Sequence, residues 1–330
     1  MKDITAVAID TAKQTFYLVG FSRTGKVEGR RKLGRSALKR WLAKQPPLTV
    51  FMEACGGSHD WGRVLKKQGH TVKLIAPQFV KPFRQGQKND WNDALAIGIA
   101  GLQPTMRFVA VKSEDQQSLQ ALHRVRSRVQ HDRVATANQL RGLLYEFGVV
   151  LPRSIAVLRK RVPEVLEAGV LPGVMAALVR DLLRELRELD ERVQRYTDLI
   201  EGMAKADPVA CRLMELSGIG PITASALVAD VADARVFRNG RQLSAYLGLV
   251  PRQFSTGGKP RLGTITKRGD RYLRQLLVHG ARSVIRHLGD KQDRISCWLR
   301  ELIARRGINK ATVALANKQA RWAWAVMVKA

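Results

Sequence analysis

The first 110 residues alternate short apolar runs, rich in β-branched side chains, with stretches whose apolar spacing is helical. Strands that alternate with helices predict a mostly parallel or mixed sheet covered by helices. Two of the runs, 6–10 and 48–53, end in a carboxylate, Asp10 and Glu53. We expect further strands at residues 15–19, after the turn at 25–28 and at 71–75, and helices at 36–41 (capped by Ser36), 61–68 and 92–102.

The sequence changes character after residue 112. Residues 113–205 lose the β signals and carry long, charged amphipathic patterns, and Pro152 and Pro163 predict breaks between helices. Residues 178–193 place apolar side chains three and four apart between Glu and Arg, which favours a helical hairpin or a coiled coil. We therefore predict an α/β domain at 1–112, a helical or coiled-coil region at 113–205, and a mainly helical domain with a glycine-rich loop at 206–330.

The charge balance indicates a polyanionic partner. Lys and Arg number 57 against 28 Asp and Glu, so the formal net charge is +29. Nucleic acid is the usual polyanion that screens such an excess. An anionic membrane surface is the rival, but the cations run from Lys2 to Lys329, and no apolar stretch reaches the ~20 residues that span a bilayer. The cysteines are three and widely spaced, which favours a reducing cytosol without a disulfide framework or a zinc site.

Asp90 and Asp93 add carboxylates at the start of a helical pattern, three residues apart and therefore on one face. Strand ends and neighbouring helix starts share one edge of an α/β sheet, so we expect these acids to meet Asp10 and Glu53. Carboxylates that converge need a cation, and Mg²⁺ or Mn²⁺ prefers oxygen ligands. Two such ions can stabilise both the attacking and the leaving oxygen of phosphoryl transfer. Singly, each acid has an alternative interpretation as a turn or cap residue, but their joint placement in so basic a chain favours a metal site.

Gly218 and Gly220 separate two helical patterns in the way of a helix-hairpin-helix turn. In such a turn the glycines let the backbone approach a phosphate, and the N–H groups of the next helix point at it. The alternative is an ordinary tight turn between packed helices.

The glycine-rich loop at 251–270 brings small hydroxyls beside flexible glycines and several cations. The cations could lower the cost of an alkoxide at Ser255 or Thr256 and stabilise charge on phosphorus. From the residues alone, a basic loop that binds the nucleic-acid backbone without a nucleophile is the better-supported interpretation. The cations that we assign to nucleic acid are Arg252, Lys259, Arg261, Lys267 and Arg268.

Short motifs follow one another in a distinctive order, at residues 9–13, 52–56, 88–94, 218–221, 243–252, 255–259 and 267–274. The first three resemble the DEDD motif of insertion-sequence-110-type transposases, and the others resemble the transposase domain of that family. The residue order in the last two motifs, 255–259 and 267–274, favours the insertion-sequence-1111 subgroup of that family. The resemblance covers nearly the whole chain, and the helical middle is its least distinctive part.

The resemblance implies a RuvC-like N-terminal domain of the RNase H fold, with the four carboxylates in its metal positions. A coiled coil and a domain with a catalytic serine would follow. Ser255 matches the serine best, although Thr256 adjoins it. The resemblance further implies a covalent phosphoserine intermediate with DNA, formed in composite sites shared between subunits of a dimer of dimers. It also implies a structured bridge (or seek) RNA that pairs with donor and target DNA, and a location in the prokaryotic cytoplasm at the nucleoid.

Other functions remain open from the sequence. A nuclease of the Holliday-junction resolvase type, which hydrolyses DNA with metal-bound water, would need the carboxylates but no serine. A nucleic-acid-binding scaffold would use the acids only as helix caps. A membrane-surface protein fits the dispersed charge poorly.

Overall fold

The computed structural model describes residues 3–87 and 89–329, so Lys88 of the DEDD-like run lies outside the described residues. The chain divides into two compact units. The first comprises Met1–Gln116 and Val231–Gln242, and the second comprises Gln117–Asp230 and Leu243–Ala330.

Among the described residues of the first unit, six strands form one mixed sheet in the order β3-β2-β1-β4-β5-β6. β1 pairs in parallel with β4, and β4 pairs in parallel with β5, whereas β2, β3 and β6 run antiparallel to their neighbours. The strands are β1 (Ala6–Asp10), β2 (Thr15–Phe21), β3 (Val27–Gly34), β4 (Thr49–Glu53), β5 (Thr71–Ile75) and β6 (Phe108–Val109). The sheet confirms the α/β prediction for this part of the chain.

Helices cover both faces of this sheet because β1 alternates its side chains between two apolar layers. Val7 and Ile9 point into the layer under α1 and α2, and Ala6 and Ala8 point into the layer under α4. The helices are α1 (Arg35–Ala43), α2 (Ser58–Lys67), α3 (Pro77–Val80), a 3₁₀ turn (Lys81–Phe83) and α4 (Asp90–Gly101). The predicted Ser36 cap is wrong: Gly34 occupies the N-cap without a side-chain hydrogen bond, because the helix begins at the end of β3.

Small residues let α4 lie close against the sheet. A Cβ added at Gly98 would overlap the Phe21 ring, and one added at Gly101 would overlap the Phe51 ring. Phe21 pairs with Ala6, near the start of β1. The C-terminal half of α4 therefore packs near the start of β1, and its N-terminus points toward the end of β1 at Asp10. This direction decides where Asp90 and Asp93 lie.

Long helices begin the second unit, as the amphipathic patterns predicted. They are α5 (Glu114–Glu146), α6 (Ile155–Glu167) and α7 (Gly173–Ala206), and they share an apolar core that includes Leu140, Leu158 and Leu183. Pro152 lies between helices as predicted, but Pro163 lies inside α6. The prediction of a break there is wrong: the burial of Leu158 and Val162 holds the helix together although Pro163 cannot donate a backbone hydrogen bond.

The C-terminal part is helical apart from a β-hairpin where the sequence predicted a loop. Its elements are α8 (Pro208–Met214), α9 (Pro221–Val231), a 3₁₀ turn (Ala234–Val236), α10 (Gly240–Tyr246), β7 (Pro251–Gln253), β8 (Leu262–Ile265), α11 (Arg271–Arg286), α12 (Arg294–Arg306) and α13 (Ile308–Val328). β7 and β8 are antiparallel, and Thr256 and Lys259 form a further bridge at the tip. Gly257 and Gly258 between them both have positive φ, 54° and 75°, as a type I′ turn requires.

No helix within residues 3–87 and 89–329 combines the length and the apolar composition that a bilayer crossing requires.

Candidate active site

Asp10 and Glu53 lie side by side at the carboxyl ends of parallel strands. Ile9 pairs with Met52, and the two carboxylates are the next residue on each strand. Ala8 and Phe51, two residues earlier, both face α4, so Asp10 and Glu53 point to the same side of the sheet. The strand ends thus bring together two carboxylates that are 43 residues apart in sequence.

The start of α4 supplies the other carboxylates. The Asn89 side chain caps the helix by accepting a hydrogen bond from the Asn92 N–H at 2.8 Å. Asp90 and Asp93 then occupy the first turn, three residues apart. Because this end of α4 points toward Asp10, the helix carries both acids to the edge where β1 and β4 end. We call Asp10, Glu53, Asp90 and Asp93 the carboxylate quartet.

Burial and the charges of neighbouring acids raise the pKa of two members of the quartet. The pKa of Asp10 is raised from 3.8 to about 6, first by burial and then by the charges of Asp93, Asp90 and Glu53. The pKa of Glu53 is raised as well, by burial and then by Asp93. A carboxyl surrounded by like charges holds its proton more tightly, and a bound cation would reverse this effect.

Cations of the segment before α4 offset part of this repulsion. Arg84 forms an ion pair with Asp93 at 3.5 Å, and Lys81 and Arg84 both act to lower the pKa of Glu53. Neither residue stands out in the sequence, because the segment has no periodicity that would place it beside the quartet. A cluster of cations next to acidic motifs was the signal that could have found them.

The quartet has the donor chemistry of a hard divalent cation, since all its ligand atoms are carboxylate oxygens. Within residues 3–87 and 89–329, however, no three His, Cys, Asp or Glu side chains are grouped closely enough to hold one ion. Repulsion between the ionised carboxylates opposes their closer approach. In addition, Asp93 is engaged in an ion pair with Arg84. The residues therefore fit a divalent metal in kind and in position, while their present spacing is wider than a ligand shell.

Cys55 adjoins the quartet but is a poor nucleophile. Its Sγ lies 3.0 Å from Thr11 Oγ1, which joins the segments that follow β1 and β4. Burial raises the pKa of the Cys55 thiol, and the charges of Glu53 and Asp10 raise it further. Since the thiolate is the reactive form, this environment disfavours cysteine chemistry.

Ser255 lies on the exposed β-hairpin of the second unit. Its Oγ accepts hydrogen bonds from Gln253 Nε2 at 2.8 Å and from the Arg261 N–H at 3.2 Å. Donors that point at a hydroxyl oxygen favour its alkoxide form. The neighbouring Thr256 contributes its backbone carbonyl to the turn by accepting from the Lys259 N–H at 3.0 Å.

The hairpin exposes the cations that the sequence predicted and, in addition, the aromatic ring of Phe254. Phe254 is 61% exposed, and its ring and the side chain of Arg252 both adjoin Gly263. The other predicted cations on the hairpin and at its base are exposed as well: Lys259, Arg261, Lys267 and Arg268.

The segment at 267–270 is built into the base of the hairpin. The Lys267 N–H donates to the Gly248 carbonyl at 3.1 Å, and the Asp270 side chain caps α11 by accepting from the Leu273 N–H at 2.7 Å. The Arg274 guanidinium donates to the Leu247 and Arg268 carbonyls, both at 3.0 Å. The backbone thus fixes the direction in which this part of the chain presents its cations.

The glycine turn between α8 and α9 has two different environments. Gly218, at φ +82°, is packed so closely that an added Cβ would overlap the Gln319 amide, and Gln319 Nε2 donates to the Ser217 carbonyl at 2.9 Å. Gly220 is exposed, with open space where a Cβ would be. Gly218 therefore serves helix packing here, and Gly220 is the glycine that a phosphate could approach.

Comparisons with known proteins agree with these features. A model described as "Transposase IS116/IS110/IS902 family" matches residues 210–296, and the DEDD model of IS110 transposases, described as "Transposase", matches residues 7–148. The chain is 48% identical over 328 residues to a probable family 20 transposase of Pseudomonas aeruginosa, covering 98% of this chain and 97% of that protein.

Two further relatives are transposases of named insertion sequences. The transposase for insertion sequence element IS1111A of Coxiella burnetii is 42% identical over 331 residues, 100% of this chain and 91% of the relative. The transposase for IS1328 of Yersinia enterocolitica is 40% identical over 326 residues, 99% of this chain and 97% of the relative. The chain therefore belongs to the IS110/IS116/IS902 family of insertion-sequence transposases, enzymes that cut and rejoin DNA.

Proposed function

We propose that this transposase joins DNA by phosphoryl transfer, with the carboxylate quartet as a divalent-metal site and Ser255 as the nucleophile. The observation that carries the proposal is the placement of Asp10 and Glu53 at the ends of adjacent parallel strands, with Asp90 and Asp93 in the first turn of α4, and the raised pKa of Asp10 supports it. The strand order, with carboxylates at the ends of adjacent parallel strands, supports a RuvC-like domain of the RNase H fold. We assign this chemistry to residues 1–112 and the serine to residues 206–330, with the helices of 113–205 between them.

Mg²⁺ or Mn²⁺ at the quartet would stabilise charge on the oxygens of the scissile phosphate. Asp10 and Glu53, fixed on strands, would set the position of the metal. Asp90 and Asp93, on the first turn of a capped helix, would complete the ligand set. Arg84 beside Asp93 would hold that carboxylate until metal and DNA are bound.

Ser255 Oγ would attack the scissile phosphorus. A bond forms between Oγ and phosphorus, the bond between phosphorus and one deoxyribose oxygen breaks, and the hydroxyl proton is released while the departing oxygen takes up a proton. A deoxyribose hydroxyl of the new DNA partner would reverse these steps and free the serine. The N–H groups of Gln253 and Arg261 support this role because they stabilise negative charge on Oγ.

Choice of donor and target DNA would come from a structured RNA that pairs with both. The support is the family resemblance together with the net charge of +29, which suits a protein that holds nucleic acid by its backbone. The exposed cations that we assign to this contact are Arg252, Lys259, Arg261, Lys267 and Arg268, with the Gly220 turn as a further phosphate contact. The composite sites would form between subunits of a dimer of dimers. Mass photometry of the RNA-bound protein would measure its number of subunits.

The test uses purified protein, the RNA transcribed from the element's flanking region, Mg²⁺ and end-labelled donor and target DNA. Products are run on a denaturing gel with and without protease. We expect a protease-sensitive protein–DNA adduct that is lost in Ser255→Ala and retained in the matched control Thr256→Ala. Glu53→Gln should abolish both adduct and cleavage.

The outcomes separate the alternatives. Cleavage without an adduct, unaffected by Ser255→Ala, would identify a nuclease of the Holliday-junction resolvase type that uses water. Loss of the adduct in Thr256→Ala but not in Ser255→Ala would identify Thr256 as the nucleophile. Full activity of Glu53→Gln would exclude the carboxylate quartet as the metal site.

A further inference from the structure

A basic edge adjoins the carboxylate quartet on the same face of the sheet. Asp10 pairs with Tyr17 on β2, and Tyr17 pairs with Lys32 on β3. Paired residues on neighbouring strands point to the same face, so these side chains form one row across the sheet. Arg30, two residues before Lys32, faces the same side. The row begins at the proposed catalytic acid and ends at the outer strand of the sheet.

Aromatic rings hold the cations of this row in place. The Trp91 ring, in the first turn of α4, meets Tyr17 edge-on with centroids 4.8 Å apart. The Arg30 guanidinium lies over Trp91 at 5.9 Å, and the Lys32 ammonium lies over Tyr17 at 5.4 Å. Trp91 stands between Asp90 and Asp93 in sequence, so the same helical turn supports the carboxylates and the cation. The rings thus pre-order both cations beside the quartet.

These cations are available to a ligand. Arg30 and Lys32 are exposed on β3, which is an edge strand. Within the part of the chain that the structure describes, neither residue forms an ion pair with a carboxylate. Residues two apart on a strand are separated by about 7 Å, a distance that neighbouring phosphates of one nucleic-acid strand can match.

The charge of β3 also argues against the pairing of a protein strand with this edge of the sheet. An exposed edge strand can pair with another chain, and runs of cations oppose such pairing. Arg30, Arg31 and Lys32 are consecutive, so a second copy of this edge would be repelled.

We propose that Arg30 and Lys32 bind consecutive phosphates of the DNA strand whose scissile phosphate lies at the carboxylate quartet. The inference rests on the proposed catalytic role of the quartet. DNA is favoured over RNA because the row is continuous with the acids that would act on DNA. The function of the pair is to hold the cut strand in register with Asp10 while the strand is transferred.

The chain provides a matched control in Arg31. It lies on the same strand, is exposed, and packs over the Trp41 ring at 5.6 Å, but it faces the opposite side of the sheet. It pairs with Leu18, whose side chain is in the layer under α1 and α2. Arg31→Gln therefore removes a comparable charge without touching the row.

The first experiment measures binding of the full-length protein to a labelled DNA duplex by fluorescence anisotropy between 50 and 200 mM salt, a range in which phosphate contacts dominate the salt dependence. The double variant Arg30→Gln/Lys32→Gln should lose at least about tenfold in affinity at low salt, and its log–log salt slope should become shallower by about 1.8, since two phosphate contacts are lost. Arg31→Gln should stay within about twofold of wild type. An equal loss in Arg31→Gln, or no loss in the double variant, would overturn the proposal in favour of diffuse attraction.

The second experiment locates the DNA phosphates that Arg30 and Lys32 contact. Single neutral methylphosphonate linkages are scanned along the DNA. Neutral linkages next to the scissile phosphate should weaken binding by wild type and have little further effect in the double variant. If sensitive linkages lie elsewhere, or if the double variant loses affinity for the structured RNA instead of DNA, the assignment is wrong. Asp10→Asn is assayed alongside: retained cleavage by that variant would defeat the metal-site proposal, while the linkage scan would still decide where Arg30 and Lys32 bind.

Discussion

Lowering the pH from 7 to 5 should loosen the helical unit, because His123 is buried in its neutral form. Its Nε2 lies 3.1 Å from Ser225 Oγ, and Ser225 donates its own proton to the Pro221 carbonyl at 2.7 Å. Nε2 therefore donates to Ser225, and Nδ1 accepts from the Tyr272 hydroxyl at 3.0 Å. Burial, and then the charge of Arg126, lower the pKa of His123 from 6.5 to about 4.

The direction and size of the effect follow from proton linkage. Because the folded-state pKa lies below the unfolded one, the unfolded chain binds a proton between about pH 6.5 and pH 4 that the folded chain excludes. The free energy of unfolding is thus undiminished above pH 6.5 and falls as the pH drops through this window. The full pKa difference corresponds to about 3 kcal/mol, of which about 2 kcal/mol is lost between pH 7 and pH 5.

Hydrogen exchange of the α9 and α11 amides measures this loss locally, which avoids assuming that both units unfold together. His123→Gln keeps a donor and an acceptor but does not titrate. The opening free energy of wild type should fall by about 2 kcal/mol more than that of the variant between pH 7 and pH 5. Carboxylates titrate alike in both proteins, so the difference isolates His123.

Two results would refute this reasoning. One is an equal pH dependence of opening in wild type and His123→Gln. The other is an NMR titration in which the His123 imidazole protonates near its ordinary pKa of 6.5. Either result would mean that the network opens to water or that a counter-ion reaches the ring.

The local geometry of two further positions leads to similar tests. Gly269 has φ +74°, and an added Cβ would overlap the Tyr246 carbonyl, so Gly269→Ala should cost at least about 2 kcal/mol of unfolding free energy and lower strand joining. Gly257→Ala, at φ +54° in open space, should cost only about 1 kcal/mol, and equal thermal shifts of the two variants would contradict the packing argument. Asn89→Ala removes the cap that accepts from the Asn92 N–H and should destabilise α4 by about 1 kcal/mol, with a matching loss of Mg²⁺-dependent cleavage. Asn89→Asp should retain the cap, and unchanged cleavage in Asn89→Ala would show that the first turn of α4 holds its position without it.

Local patterns predicted the strands and helices of the first unit because a strand that is buried on both faces appears in the sequence as a short apolar run. β1 alternates Val7 and Ile9 against Ala6 and Ala8, and it ends at the polar Asp10 where the sheet meets solvent. The same logic failed at Pro163, because a helix whose apolar face is anchored by the buried Leu158 and Val162 tolerates one missing hydrogen bond. It also failed at the hairpin, whose short exposed strands lack apolar alternation.

The candidate site was only partly visible in the sequence. The carboxylates stand in motifs, so their order along the chain was enough to group them. Arg84 and Lys81 act on the same site, yet their segment has no pattern that points to it. The hydrogen bonds of His123 join residues 149 and 102 positions apart, and no local rule connects such distant residues.

The sequence by itself determined the class of the chain: a basic protein with an α/β domain, long helices, a carboxylate motif and a hydroxyl-bearing basic segment. These are properties of composition and of short-range periodicity. Tertiary structure alone decided which further groups lie beside the carboxylates. Strand register aligned Asp10 with Tyr17 and Lys32, and the packing of Gly98 against Phe21 directed the start of α4 toward Asp10. Register and packing depend on contacts between distant segments, so they appear only when the chain is folded.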